Sequence, residues 1–218
     1  MSYFRYIDNG EGPTKLFIGG IHGHEGQTSI QLLKRLKKED FAPGQIYIYN
    51  LNDSPYVSTL KEEFFESPRG LEIINLINKH KPDFYCELHS YNIDNFSYLV
   101  GDGRYKSTGV PPLIDCGDYI LVSSVSPLIR MKYFEKDTIC KTLEIPTLHN
   151  MEKLEYAYKN YGFIKNKSIN RYMNLLYLVT SAKDYLEYQR NITKYYPKQV
   201  DLAIKYVVEL YNKSFSPF

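Results

Sequence analysis

KLFIGGIHGHEGQTSI, Lys15 to Ile30, is the stretch from which the rest of the chain can be read. An apolar run is interrupted by Gly19 and Gly20, and His22, His24 and Glu25 then fall within four residues. A short apolar run ended by glycine predicts a buried strand over 15–21. The following TSIQLLKRLKKED (28–40) carries Ile30, Leu33 and Leu36 at helical spacing and predicts a helix. A strand that turns sharply into a helix leaves the turn residues at the strand's carboxyl end. In open α/β sheets that is where functional groups collect.

The same alternation continues outward. GQIYIYNL (44–51) reads as a second strand after the Pro43-Gly44 break, and PDFYCELH (82–89) as a third. Between them SPRGLEIINLINKHK (67–81) opens with Ser-Pro, a helix start, and sets Leu71, Ile74 and Ile77 on one face. Strand, helix, strand, helix, strand with short joins predicts a mostly parallel sheet, because parallel neighbours need a crossover and helices provide it. FSYLV (96–100), DYILVSSVS (118–126) and TICKTLEIP (138–146) read as further strands among loops such as GDGRYKSTGVPP. From about Asn150 the pattern turns helical, with 169–192 and 197–213 as long amphipathic segments. The expectation is one α/β domain over 1–218, a three-layer α/β/α sandwich around a mixed, mostly parallel sheet, with 150–218 mostly helical. No repeat or linker divides it.

Composition excludes several function classes. With 27 Lys and Arg against 25 Asp and Glu in 218 residues, nothing points to nucleic acid or an anionic membrane as partner. Three cysteines, Cys86, Cys116 and Cys140, form no CxxC pair, so a disulfide framework and a thiolate zinc site are not expected. MSYFRYIDNG has no charged start followed by an apolar stretch, and no run approaches the roughly 20 residues that span a bilayer. A cytoplasmic protein acting on a small-molecule or peptide substrate is expected.

Ionisable residues recur at predicted strand ends: His22 with Glu25, then His89, then Glu144. Histidine and carboxylate suit zinc, and a catalytic zinc commonly takes three protein ligands and leaves a position for water. Each residue also has a plainer explanation. His22 can be a hydrogen-bonded histidine in a tight turn, His89 a structural one, and Glu144 the partner of a buried Lys or Arg. Glu144 lies in apolar TLEIP, however, where an unpaired carboxylate is costly. His24 makes an HxH pair with His22, as in amidohydrolase barrels. The chain is shorter than the roughly 250 residues of a full (β/α)8 barrel, which assigns His24 to the pocket wall or the layer behind it.

HGHE (22–25) resembles the HxxE pair of the zinc carboxypeptidase superfamily, above all the HGxE form of its succinylglutamate desuccinylase and aspartoacylase branch. PDFYCELHSYN (82–92) is similar to that branch's DLH strand, CKTLEIP (140–146) to the strand bearing its catalytic glutamate, and NLND (50–53) to its DLNR stretch. The likeness covers about Lys15 to Pro146. It implies one Zn2+ held by His22, Glu25 and His89, with Glu144 as general base and later proton donor in amide or peptide hydrolysis, as in a carboxypeptidase or an N-acyl amino acid deacylase. A pseudoenzyme or metal-binding regulatory module on the same fold, or a metal-dependent esterase, are the alternatives. DLNR implies an asparagine and an arginine on the substrate carboxylate. Here Asn52 matches while Asp53 reverses the charge, so either the substrate lacks a carboxylate or Arg130 or Arg104 supplies the clamp.

Overall fold

A computed structural model describes residues 3–211. The chain is α/β. Its seven-stranded mixed sheet has the order β1-β3-β2-β4-β7-β6-β5, with β1 Tyr3–Asp8, β2 Thr14–Gly19, β3 Gln45–Asn50, β4 Phe84–Tyr91, β5 Ile114–Asp115, β6 Leu121–Ser123 and β7 Ile139–Pro146. The centre, β3-β2-β4-β7, is parallel, and β1, β6 and β5 add antiparallel edges.

Alternation along the strands divides the interior into two cores. Phe84, Cys86 and Leu88 of β4 face one side with Phe17 and Ile48. That side is covered by α1 (Gly26–Leu33), α7 (Met151–Tyr161), α8 (Lys165–Ser181), α9 (Tyr185–Tyr195) and α10 (Pro197–Tyr211). Tyr85 faces the other side with Leu16, Ile18 and Tyr49, under α2 (Glu62–Glu66), α3 (Pro68–His80) and α6 (Pro127–Tyr133). The chain leaves β2 for β3 through α1, then returns past β2 to β4 through α3. Right-handed crossovers in opposite directions put their helices on opposite faces, and this opens a crevice beyond the carboxyl ends of β2 and β4.

Several expectations need correction. FSYLV is not a strand: Phe96–Leu99 is a short helix, α4, and Phe96, Leu99 and Val100 pack together at i, i+3 and i+4 against Tyr91, Leu113 and Leu121. The predicted segment 169–192 is broken between α8 and α9, where the Asp184 carboxylate accepts the Glu187 N–H at 2.7 Å and Glu187 in turn accepts that of Lys183. The buried stripe of α3 is Gly70, Ile73 and Ile77, and Leu71 is exposed, because Gly70 sits tight against the Phe64 carbonyl. Helix α1 stops at Leu33, and Lys38–Asp40 form a separate 3-10 turn. The helix expected over 197–213 is observed as α10, and residues 212–213 lie outside the described ones. Strand β1 gave no recognised signal in the sequence.

Lys15 fastens the two halves of the chain. It is fully buried in β2, lies over the Phe84 ring, and donates to the carbonyls of Val179 at 2.9 Å, Thr180 at 2.7 Å and Ala182. These carbonyls end α8, where the helix has no intrahelical donors left and its dipole favours a cation. Lys15→Met keeps the volume but takes the ammonium from three buried carbonyls, of which that of Thr180 keeps the Ala42 N–H at 3.0 Å, so a loss of about 2–4 kcal/mol is expected in urea unfolding. A change below about 0.5 kcal/mol would show that water replaces the ammonium without penalty.

Candidate metal centre

The turn after β2 is built for close approach. Gly20 has φ +73°, and a side chain there would meet the Leu51 carbonyl at 2.5 Å; at Gly19 it would meet the Ser29 hydroxyl at 2.4 Å. The room is used by Asn50, buried at the end of β3. Its Oδ1 accepts from the Ser29 hydroxyl at 2.6 Å and its Nδ2 donates to the Gly26 carbonyl at 3.1 Å. This holds the start of α1 against the ends of β2 and β3, and so fixes Glu25, the residue immediately before the helix.

Glu25 and His22 meet His89, which comes from β4 next door. Glu25 Oε2 lies 3.4 Å from His22 Nδ1 and 3.2 Å from His89 Nδ1, and Glu25 Oε1 accepts the Ser90 N–H at 3.2 Å. All three side chains are buried, and one potential ligand atom from each lies within 4.8 Å of the others. Two ligands about 2.1 Å from one ion at the tetrahedral angle are about 3.4 Å apart, which is the spacing found between Glu25 and each imidazole.

A fourth group sets the state of His89. Glu87, two residues earlier on the same face, accepts from His89 Nε2 at 3.2 Å and from the Tyr85 hydroxyl at 2.8 Å. Without an ion His89 can carry both ring protons, one towards Glu87 and one towards Glu25; with a proton kept on Nε2 by Glu87, Nδ1 is the nitrogen that would face an ion beside Glu25. His22 Nδ1 is buried without a hydrogen-bond partner. The donor set therefore fits a divalent ion, with Glu87 orienting one ligand from behind.

Register completes the group. His89 of β4 pairs with Glu144 of β7, so the two side chains point the same way from adjacent parallel strands. Glu144 Oε2 is buried without a hydrogen-bond partner. Burial raises the Glu144 carboxyl to about 7; the His89 and Arg104 charges oppose the rise, and Glu25 and Glu87 add to it. Burial also drops the His22 imidazole to about 4, against the pull of Glu25 and helped by the His89 charge. Burial alone would strip the His89 proton, yet Glu25, Glu87 and Glu144 hold that imidazole well above the ordinary histidine range. Three carboxylates around two imidazoles leave an excess of negative charge that a bound cation removes.

His22, Glu25, His89 and Glu144 all line one cavity of about 650 Å³, together with Tyr56, whose ring packs edge-on against His22 at 4.6 Å between centroids. The substrate residues expected from NLND do not join them. Asn52, Asp53 and His24 are exposed and outside the cavity lining; Asp53 is held by His24 Nδ1 at 2.7 Å and Gln27 Nε2 at 2.8 Å, on the outer side of the turn. The charge reversal at Asp53 therefore does not bear on the cavity. Arg130 does line it, but its guanidinium donates to the carbonyls of Phe134, Glu135, Lys136 and Thr138. His149 bonds the Thr28 hydroxyl at 3.1 Å, and His80 stacks on Tyr47, so neither joins the cluster. Glu87, Asn50 and Tyr56 were not singled out from sequence. For Glu87 a signal existed, a second ionisable residue at i−2 from His89 on a buried strand.

Residues 10–212 match the family described as "Uncharacterized protein conserved in archaea (DUF2119)". The chain belongs to that family. It is also 43% identical over 143 residues to "Uncharacterized protein MJ0501" of Methanocaldococcus jannaschii, an alignment covering 63% of this chain and 69% of the relative. No solved structure matches the chain at a significant level. Among the described residues of this family member, no helix is long and apolar enough to cross a membrane.

One equivalent of Zn2+ or Co2+ is expected to bind and to raise the melting temperature, since a ligand taken up only by the folded state stabilises it. Glu87→Gln should weaken binding by about 10- to 100-fold, and His89→Ala by more. Calorimetric titration measures both, and unchanged affinity in the two variants would place the ion elsewhere.

Proposed function

We propose that this chain is a zinc-dependent hydrolase of amide or peptide bonds, of the carboxypeptidase or N-acyl amino acid deacylase type. The observation that carries the reading is the pairing of His89 with Glu144: a candidate ligand set and a carboxylate whose buried Oε2 has no hydrogen-bond partner sit on adjoining strands and open into one cavity. The motif order HGHE, ELH, LEIP and the resemblance it carries to the zinc carboxypeptidase superfamily support the same reading, including a carboxypeptidase-like form of the α/β fold.

His22, Glu25 and His89 would hold the ion, and two histidines with a glutamate are an established zinc set. When bound, zinc supplies Lewis acidity, polarising a carbonyl and acidifying water. Glu144 performs the proton traffic. Its carboxylate takes a proton from the attacking water as the new C–O bond forms, and delivers it to the amide nitrogen as the C–N bond breaks, leaving a carboxylate and an amine. Burial pushes the Glu144 carboxyl above the ordinary carboxylate range, the direction a group that must both accept and return a proton needs. With the ion bound, Glu87 would hold the proton on His89 Nε2 and leave Nδ1 to the metal, and Asn50 holds the turn that carries His22 and Glu25.

The test is Glu144→Gln, assayed on acylated amino acids and short peptides with metal content measured alongside. Turnover should fall by about 10²-fold or more with metal retained, because the proton acceptor is lost and the ligands are not. Turnover close to wild type would assign Glu144 a structural role and remove the general base from this scheme.

A further inference from the structure

Hydrolysis of an amide builds negative charge on the carbonyl oxygen, and a hydrogen-bond donor aimed at that oxygen is among the strongest aids to the reaction. The arginines of the cavity lining are already engaged. Arg130 donates to four backbone carbonyls, and Arg104 of α5 (Gly103–Thr108) is anchored on that of Pro111. Two tyrosines of the lining also have partners: the Tyr91 hydroxyl donates to the Tyr119 carbonyl at 2.7 Å, and that of Tyr98 pairs with the Ser107 hydroxyl at 2.7 Å. Tyr56 differs. Its ring packs edge-on against His22 at 4.6 Å between centroids, and its hydroxyl has no hydrogen-bond partner among the described residues.

The loop that carries Tyr56 is tied to the turn that carries His22. The Leu51 N–H donates to the Gly19 carbonyl at 2.9 Å and that of Ser54 to the Gly23 carbonyl at 3.1 Å, while the Arg69 guanidinium bridges the carbonyls of Gly20, at 3.1 Å, and Asn52. Pro55 restricts the step from Ser54 to Tyr56. Tyr56 is exposed as a residue, yet its position beside His22 is set by these bonds. Sheet order supplies the rest: Tyr56 follows β3, His22 and Glu25 follow β2, His89 lies on β4 and Glu144 on β7. Tyr56 and Glu144 therefore reach the one cavity from strands on opposite sides of the pair that bears the candidate ligands. Burial, and after it the charges of Glu25 and Glu144, push the Tyr56 phenol above its ordinary range, which keeps the proton on the oxygen.

We infer that Tyr56 is a catalytic residue whose phenol O–H donates to the substrate's carbonyl oxygen as that oxygen becomes an oxyanion. This rests on the metallohydrolase reading and adds to it the group that meets the developing charge. As the water oxygen bonds to the carbonyl carbon, Glu144 takes the water's proton and the C=O electron pair moves onto oxygen, where the bond from Tyr56 strengthens. When the C–N bond breaks, that pair re-forms C=O and Glu144 delivers its proton to the nitrogen. Tyr56 keeps its own proton throughout. A neutral donor of this kind favours the charged state over the ground state, because a hydrogen bond to an ionised acceptor is roughly twice as strong as one to a neutral acceptor.

The test is Tyr56→Phe, which keeps the ring on His22 and removes only the hydroxyl. Phenylphosphonate, whose tetrahedral oxygens copy the oxyanion, is titrated calorimetrically into the zinc-loaded wild type and variant, so that binding is read apart from turnover. It should bind the variant about 10-fold or more weakly, while zinc itself binds both proteins alike. On an amide substrate kcat should fall by about 10²- to 10³-fold with KM little changed. Phenylphosphonate bound equally by both proteins, no binding of it by the wild type, a parallel loss of zinc affinity, or a raised KM with kcat intact would each overturn the assignment; the loss of zinc would make Tyr56 a support for His22, and the raised KM a ground-state contact. The two readings fail separately. A protein that cleaves no amide yet loses phenylphosphonate in Tyr56→Phe keeps the oxyanion donor and loses the hydrolase reading; one whose amide turnover depends on Glu144 and not on Tyr56 does the reverse.

Discussion

The Glu25 carboxylate, set between two imidazole nitrogens at 3.2 and 3.4 Å, is the contact on which the rest of the site depends. It is buried, and so are Glu87 and the Oε2 of Glu144 around it. Carboxylates are driven from protein interiors unless something positive compensates them. In the protein alone the His89 proton partly serves, at the expense of leaving His22 Nδ1 without a partner. An ion shared by His22, Glu25 and His89 would give all three donors a partner, which is the basis for proposing the cluster as a cation site.

The fold earns this arrangement by topology. Strand β2 has β3 on one side and β4 on the other, and the helices that make those connections lie on opposite faces of the sheet. At the point of divergence no crossover covers the strand ends. His22 and Glu25 arrive from the β2 turn, His89 from β4 and Glu144 from β7, so three consecutive strands each contribute at the same level. Asn50 then ties β3 into the same turn.

Much of this was legible in the residues. The alternation that names the central strands, the glycine-ended apolar run and the strand-end histidines and glutamates needed only periodicity and turn chemistry. What was not legible had identifiable causes. FSYLV is too short for its period to be decisive by inspection, yet its packing follows helical spacing. The α8–α9 break is announced by Asp184 and Glu187, a capping pattern hidden inside a long apolar periodicity. Strand β1 pairs along β3 at the sheet edge with Phe4 and Tyr6 exposed, so it carries little burial pattern. At the site, motif order picked out the residues that the fold brings together, while the outward direction of Asp53 depended on the path of the turn, which spacing does not encode. Glu87 was passed over because its neighbour His89 accounted for the strand-end signal by itself.

The fastening of Lys15 to the end of α8 bears on what counts as a minimal unit of this protein. Every residue of the metal cluster and Glu144 lies before position 150, and the motifs that carry the resemblance end at Pro146. A fragment cut there would keep these four residues and lose the carbonyls of Val179, Thr180 and Ala182 that receive the fully buried Lys15 amino group. The last third, which holds none of the four clustered residues, is thus a thermodynamic partner of the strand that delivers the first histidine. During synthesis, the interior of β2 cannot close in its final form until Ala182 has left the ribosome.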